Sequence, residues 1–232
     1  MIHIPGGVLV AVEGIDGAGK TSVATMLAQF CGERGIACTL SKEPTGLESG
    51  ALLRRSASEG RLTLERETEL FELDRREHIE RSINPALREG NIVILDRYFW
   101  SNAAYQGSRG GDFAEIFARN EAFAPNPDLV ILLDVDAEMG VGRIRKRGDA
   151  PNLFEGLDSL SKARQIFLEL ASSRRKSLVL DASDSLKSVG GKAILAFQAL
   201  IVEKIAHSEP VNPGMVNKVL ALLGGDLIGE HA

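Results

Sequence analysis

The feature that most constrains this chain is the octapeptide Gly14-Ile15-Asp16-Gly17-Ala18-Gly19-Lys20-Thr21, which fits the spacing G-x-x-x-x-G-K-[ST]. Before it runs Val8-Leu9-Val10-Ala11-Val12-Glu13, apolar and β-branched as a buried strand should be, and after it residues 22–30 carry helical spacing. A strand, a glycine-rich loop and a helix in that order make a phosphate-binding loop. The glycines let backbone N–H groups approach phosphate oxygens, and the helix turns its positive end toward the same anion. Lys20 adds a point charge for the β- and γ-phosphates, and Thr21 a hydroxyl for Mg²⁺. Gly14, Asp16, Gly17, Ala18, Gly19, Lys20, Thr21 and Ser22 are therefore the candidate residues for a nucleoside triphosphate.

Strand-like and helix-like segments alternate along the rest of the chain. Strands are expected at 8–13, 36–41, 91–95, 129–134 and 177–181, and helices at 20–33, 46–58, 63–88, 112–123, 137–147, 157–174 and 184–205. Four of the strands are dense in Val, Ile and Leu, as strands covered on both faces must be. The expected fold is α/β, a P-loop NTPase fold with a five-stranded parallel sheet and helices on both faces. Pro85 should kink the long helix or mark its last turn. Asp136 and Asp184 are the expected N-caps of the helices that follow them. One domain is expected over 1–205, with a lid at about 143–156, and a tail over 206–232 that has room for a short helix around 213–223.

Charge and composition narrow the partners. Twenty-seven basic residues against 32 acidic give a formal net charge of −5, which argues against a nucleic-acid polyanion. No apolar run reaches the length of a membrane span, and residues 1–7 lack the basic start and long apolar core of a signal peptide. Cys31 and Cys38 have no metal-ligand or C-x-x-C spacing and are read as small, buried or half-buried thiols. A cytoplasmic location, with no nucleic acid and no membrane partner, is the expectation.

Beyond the loop, the apolar stretch Asn91-Ile92-Val93-Ile94-Leu95 ends in Asp96-Arg97-Tyr98. An apolar strand ending in Asp beside a P-loop places a carboxylate for Mg²⁺, so Thr21 and Asp96 are the candidate metal residues. The guanidinium of Arg97 suits bidentate phosphate recognition. Arg143, Arg145, Lys146 and Arg147 crowd four cations into five positions at the end of a helix. They are either a solvated helix terminus or a basic lid over the triphosphate, with Arg143 and Arg147 sharing one face.

The ordered set Glu13 to Thr21, Lys42-Glu43-Pro44, Asp96-Arg97-Tyr98, and Ser101 with Ala104-Tyr105-Gln106-Gly107 resembles the thymidylate kinases, from about residue 8 to about 205. Phe71 and Arg75 match the family positions that contact the thymine ring, and Pro127-Asp128-Leu129-Val130 is also typical. The resemblance implies phosphoryl transfer from ATP-Mg²⁺ to dTMP, giving dTDP and ADP, by a homodimer. It implies that Phe71 stacks on the pyrimidine and that Arg75 donates to its O4. Arg97 would hold the monophosphate, and Asp16 would accept from the sugar 3′-hydroxyl or act near the metal. Tyr105 would lie where a ribose 2′-hydroxyl projects, and Gln106 would contact the base or orient its neighbours. Glu43, Pro44, Ser101 and Asn102 complete the implied substrate set. Lys20, Arg97, Arg143 and Arg147 form the implied catalytic set. Read without the family, Phe71 and Tyr105 are ordinary core aromatics.

Three departures stand out. Members with a basic residue inside the loop carry it where this chain has Gly17, so the resemblance is to the bacterial type, with its catalytic arginine in the lid. The lid stretch Asp149-Ala150-Pro151-Asn152-Leu153-Phe154-Glu155 lacks the family's Asp-Arg pair, which leaves Arg143 or Arg147 to act alone. Lys42 replaces the family's arginine, keeping charge but losing the fork. A kinase for dUMP or another deoxypyrimidine monophosphate, a weakly catalytic member and a nucleotide-dependent switch remain as alternatives. The switch lacks an Asn-Lys-x-Asp motif, since Asn217-Lys218 is followed by Val219 and Leu220.

Overall fold

A computed structural model describes residues 1–146, 148, 156–207 and 221. Five strands, β1 (Val8–Gly14), β2 (Cys38–Lys42), β3 (Ile92–Asp96), β4 (Leu129–Asp134) and β5 (Ser177–Asp181), form one parallel sheet in the order β2-β3-β1-β4-β5. From β1 the chain builds first toward β2 and β3, then crosses to β4 and β5. That reversal leaves a crevice beyond the carboxyl ends of β1, β3 and β4, the place where such sheets take ligands. The three inner strands are buried almost throughout, and the edge strands β2 and β5 alternate or lie half exposed. Segment 36–41, the one strand segment poor in Val, Ile and Leu, corresponds to an edge. The other edge, β5, is apolar in sequence yet leaves Val179 exposed.

The helices among the described residues are α1 (Lys20–Glu33), α2 (Glu48–Glu59), α3 (Leu64–His78), α4 (Asn84–Arg88), α5 (Phe99–Ser108), α6 (Phe113–Glu121), α7 (Ala137–Lys146), α8 (Leu157–Ser172) and α9 (Leu186–Ala206). α1 packs on α9, with Phe30 and Phe197 edge to face at 6.1 Å, while α5 packs on β1, α6 and α8. Each fully buried aliphatic or aromatic side chain contributes about 1.5–3 kcal/mol, and the core runs continuously through both layers.

Several boundaries differ from expectation for physical reasons. The single helix expected over 63–88 is three pieces, because a π-helical turn (Ile79–Ile83) shifts the hydrogen-bond register ahead of Pro85. The proline then falls in the first turn of α4, where a missing N–H leaves nothing unpaired. α5 was not among the expected helices: eight of its ten residues, Phe99 to Gln106, are buried. A helix covered on every side shows no apolar stripe, so periodicity does not reveal it. The N-cap of α9 is Ser185, whose hydroxyl accepts from the Ser188 N–H at 3.2 Å, whereas Asp184 instead holds Lys192 at 3.0 Å. Asp136 immediately precedes α7, its carbonyl accepting from the Gly140 N–H, and its carboxylate takes a hydrogen bond from Arg164. Cys31 is buried and Cys38 half-buried, both as free thiols. Arg147, most of the expected lid and nearly all of the tail lie outside the described residues.

Candidate active site

The donor end is built from main chain. Gly17 sits at φ +81°, and a Cβ there would lie 2.2 Å from the carbonyl oxygen of Gly140 in α7. A Cβ on Gly140 would in turn lie 2.6 Å from the Asp16 carbonyl. The loop and α7 approach glycine to glycine, so position 17 has no room for a side chain. Gly19, at φ +100°, precedes α1 without any side-chain cap. The first-turn N–H groups of α1 are thus left for a ligand, beside the positive end of the helix dipole.

Lys20 is buried, and its ammonium donates to the Ile15 carbonyl at 2.7 Å with Asp16 4.0 Å away. Burial, with the nearby positive charge of Arg97, pulls its pKa down to about 8. The Thr21 hydroxyl donates to Asp96 Oδ2 at 2.5 Å, while Asp96 Oδ1 is buried without a hydrogen-bond partner among the described residues. An orphaned carboxylate oxygen beside a hydroxyl is the donor set a hard divalent cation takes, so these two residues fit Mg²⁺. Arg143 reaches over the loop, donating to the carbonyls of Ala182 at 2.8 Å and Gly17 at 3.4 Å, and it lines the groove that also contains Ala18, Gly19 and Ser22. Arg145 and Lys146 are exposed, Lys146 on the rim of that groove.

A second cavity opens beside this one. All ten residues assigned to the monophosphate line it: Asp16 from the loop, Glu43 and Pro44 after β2, Phe71 and Arg75 from α3, and Arg97, Ser101, Asn102, Tyr105 and Gln106 from the β3–α5 segment. Arg97 pairs with Asp16 Oδ1, and the Tyr105 hydroxyl donates to Asp16 Oδ2 at 3.0 Å. Burial alone would raise the Asp16 carboxyl, but the charges of Arg97 and Lys20 outweigh it and hold it below the usual range. Tyr105 is braced edge-on by Phe167, with ring centroids 6.3 Å apart.

Deeper in the wall, Arg75 is 1 % exposed. Its Nε and Nη2 donate to Glu43 Oε2 at 2.9 and 2.6 Å, and Nη1 donates to the side-chain carbonyls of Asn102, at 3.3 Å, and Asn120. Four of its five N–H groups are thereby used, which leaves one on Nη2 for the cavity. His78 closes the network, bonding Glu43 Oε1 at 3.1 Å and Ser41 at 2.8 Å. Gln106, wholly buried, donates to Glu67 at 3.2 Å and accepts from Asn102 at 2.9 Å. Glu67 is also held by Arg109 and Arg61.

The sequence reading did not pick out Leu53, Arg54 and Ala57 in the lining, or Glu67 and Asn120 behind it, and it gave Tyr98 and Glu13 no role beyond their motifs. Glu13 had one usable signal, a charge inside an otherwise apolar strand. Tyr98 lies in the turn between β3 and α5, and the others are ordinary helix residues whose neighbours only the fold supplies.

A family model described as thymidylate kinase matches residues 12–192. The thymidylate kinase of Xanthomonas euvesicatoria pv. vesicatoria (strain 85-10) is 46% identical over 221 residues, covering 95% of this chain and 96% of the relative. That of Xanthomonas campestris pv. campestris (strain 8004) is 48% identical over 201 residues, 87% of each chain. That of Xylella fastidiosa (strain M12) is 46% identical over 191 residues, 82% of this chain and 87% of the relative.

Proposed function

The chain belongs to the thymidylate kinase family, and on that premise we propose that it transfers the γ-phosphoryl group of ATP to dTMP, giving dTDP and ADP. The observation that carries this reading is the Asp16–Arg97 pair, which joins the phosphate-binding loop to the wall of the second cavity. A donor and an acceptor placed on either side of that pair meet phosphate to phosphate.

Little covalent chemistry is asked of the protein, because an acceptor phosphate is already ionised near neutral pH. The work is alignment and charge neutralisation. Arg97 grips the acceptor phosphate, exchanging its partner Asp16 for phosphate oxygens. Lys20 leaves the Ile15 carbonyl for the β- and γ-phosphates, and Arg143 lies over the loop where transferring charge needs cover. Thr21 and Asp96 would hold Mg²⁺, which when bound neutralises charge on the β- and γ-oxygens. Phe71 stacks on the pyrimidine, and the free Nη2–H of Arg75 donates to O4. Cytosine presents an amino group there and is rejected donor to donor. Asn102 faces the same ring, and Gln106 fixes Asn102 from behind. Glu43 and Pro44 shape the floor, and Ser101 supports Arg97 at 3.4 Å. The braced ring of Tyr105 excludes a ribose 2′-hydroxyl.

ADP formation from ATP and Mg²⁺ against dTMP, dUMP, UMP, dCMP and dGMP tests the reading. A preference for dTMP supports it, and preference for another monophosphate overturns the base-pocket assignment. Turnover of UMP equal to dUMP would remove the role given to Tyr105. The homodimer belongs to the same reading, and a solution mass equal to the single-chain 25.0 kDa would exclude it. A cytoplasmic setting is likewise inferred; no helix among the described residues is long and apolar enough to cross a membrane.

A further inference from the structure

Glu13 is the one residue of β1 that is neither apolar nor glycine, and its side chain is completely buried in the sheet. A carboxylate in that position must recover its lost hydration through hydrogen bonds. All those it makes go to one place. Oε1 accepts from the Tyr98 N–H at 2.9 Å and the Ser101 N–H at 3.1 Å, and Oε2 accepts from the Ser101 hydroxyl at 2.5 Å. These groups belong to the N-terminus of α5, whose own N-cap residue, Tyr98, makes no side-chain cap. Glu13 therefore caps α5 from the neighbouring strand, satisfying the Tyr98 N–H that the helix start leaves open and sharing the Ser101 N–H with the Tyr98 carbonyl, which takes it at 3.1 Å.

The turn that this cap closes is strained. Arg97 sits at φ +73°, the one non-glycine residue at positive φ among those described. Its N–H donates to the Val12 carbonyl at 3.0 Å, and the next N–H along, that of Tyr98, goes to Glu13. Consecutive residues of β1 thus hold the strained residue on both sides. A left-handed arginine persists only where its surroundings over-determine it.

We propose that Glu13 is a positioning residue for the acceptor: by capping α5 from β1 it locks Arg97 in its left-handed conformation and keeps the acceptor-side wall in register with the phosphate-binding loop. It touches neither nucleotide and acts through Arg97, Ser101 and the helix that carries Asn102, Tyr105 and Gln106. The proposal rests on the reading of Arg97 as the acceptor-phosphate ligand.

The test compares Glu13→Ala, Glu13→Asp, Glu13→Gln and Arg97→Ala by steady-state kinetics in both substrates and by ATP binding without acceptor. A misplacement of about 1 Å costs on the order of 100-fold, so kcat/KM for dTMP should fall about 100-fold in Glu13→Ala, with kcat and KM both affected. ATP affinity should stay within about threefold, because the loop is held by its own main chain and α7. Glu13→Gln keeps an acceptor oxygen for the two N–H groups and should retain at least about a tenth of the parent activity. Glu13→Asp keeps the charge but withdraws it by one methylene and should fall below Glu13→Gln. If Glu13→Ala does not fold, this Asp–Gln order carries the test, and the reverse order or parent-like kinetics in both overturns the proposal. A folded Glu13→Ala with parent-like kinetics for dTMP overturns it while an impaired Arg97→Ala leaves the Arg97 reading standing. An equal loss of ATP affinity would reduce Glu13 to a general structural role and also overturn it. Parent-like acceptor kinetics in Arg97→Ala would instead overturn the Arg97 reading, and the proposal with it.

Discussion

The donor end and the acceptor cavity share Asp16 and Arg97 but are built on opposite plans. The donor end is made of backbone: glycines at positive φ, an uncapped helix start and a glycine-to-glycine contact with α7, with Lys20, Thr21 and Arg143 added as charges and ligands. The acceptor wall is made of side chains drawn from several separate segments and tied together by buried carboxylates, Glu43 under Arg75 and Glu67 under Gln106. A backbone site is disturbed by adding a Cβ and survives the loss of most side chains nearby. A side-chain site of this kind fails when one partner is removed, because the other is left buried and charged.

The sharpest contrast is in how each end should respond to losing one cation. At the donor end, Lys20→Ala removes a charge aimed at the transferring phosphoryl group, and kcat should fall about a thousandfold or more. The fold should remain, since the loop is held by its glycines, and the dTMP KM should change little. ADP formation together with a thermal melt checks this, and a large dTMP KM effect would show that the two ends are not built independently.

At the acceptor wall, Arg75→Ala leaves Glu43 buried with His78 as its one remaining side-chain partner among the described residues and should destabilise the fold by about 3–5 kcal/mol. The double variant Arg75→Met with Glu43→Gln removes the whole pair and should restore much of that stability without restoring dTMP binding. Chemical denaturation reads the first effect and titration with dTMP the second. If the double variant were as unstable as the single, the wall would depend on packing volume and not on the charge pair.

This difference also decides what the sequence could say. Most of the donor end lies in one local octapeptide and in an apolar strand ending in Asp96, where each residue has a backbone or charge role that spacing alone suggests; only the α7 contact and Arg143 come from elsewhere. The parallel sheet was likewise legible, because the inner strands are continuous apolar runs. Apart from Arg97, whose guanidinium beside Asp96 already suggested phosphate recognition, the acceptor wall was legible only through family resemblance. Phe71, Arg75 and Asn102 are unremarkable in their own segments, and they meet because α5 is packed on α3, α6 and α8. α5 itself escaped periodicity because burial on all sides erases the stripe. Glu13 was in view inside a motif, but its task depends on where Tyr98 and Ser101 come to rest, which no spacing in the sequence states.

Glu13 joins the two ends, and its ionisation gives a smaller and pH-dependent effect. Burial, against the Ser101 hydrogen bond and Arg97, raises its carboxyl from 4.5 to about 7 in the folded protein. A carboxyl raised on folding binds its proton more tightly in the folded state. Its contribution to stability is complete below about pH 4.5 and is lost as pH rises through about 7. Glu13→Gln cannot ionise and should not suffer that loss. Relative to the parent, its melting temperature should therefore rise between pH 5 and pH 8, by an amount equivalent to at most about 3 kcal/mol. A constant difference across that range would mean that Glu13 stays ionised in the fold.

The smallest effect belongs to Phe71, which is only half-buried at the cavity mouth. Its ring takes no part in the Glu43 or Glu67 networks, so Phe71→Ala should leave stability nearly unchanged. An aromatic stack is worth about 0.5–1.5 kcal/mol beyond its area, so the dTMP KM should rise about tenfold with kcat within about twofold. Loss of binding without loss of fold would mark the rim of the acceptor cavity as separable from its wall, as Arg75 is not. A fall in kcat equal to the rise in KM would mean that base stacking aligns the phosphate as well, and the wall and its rim would then act as one unit.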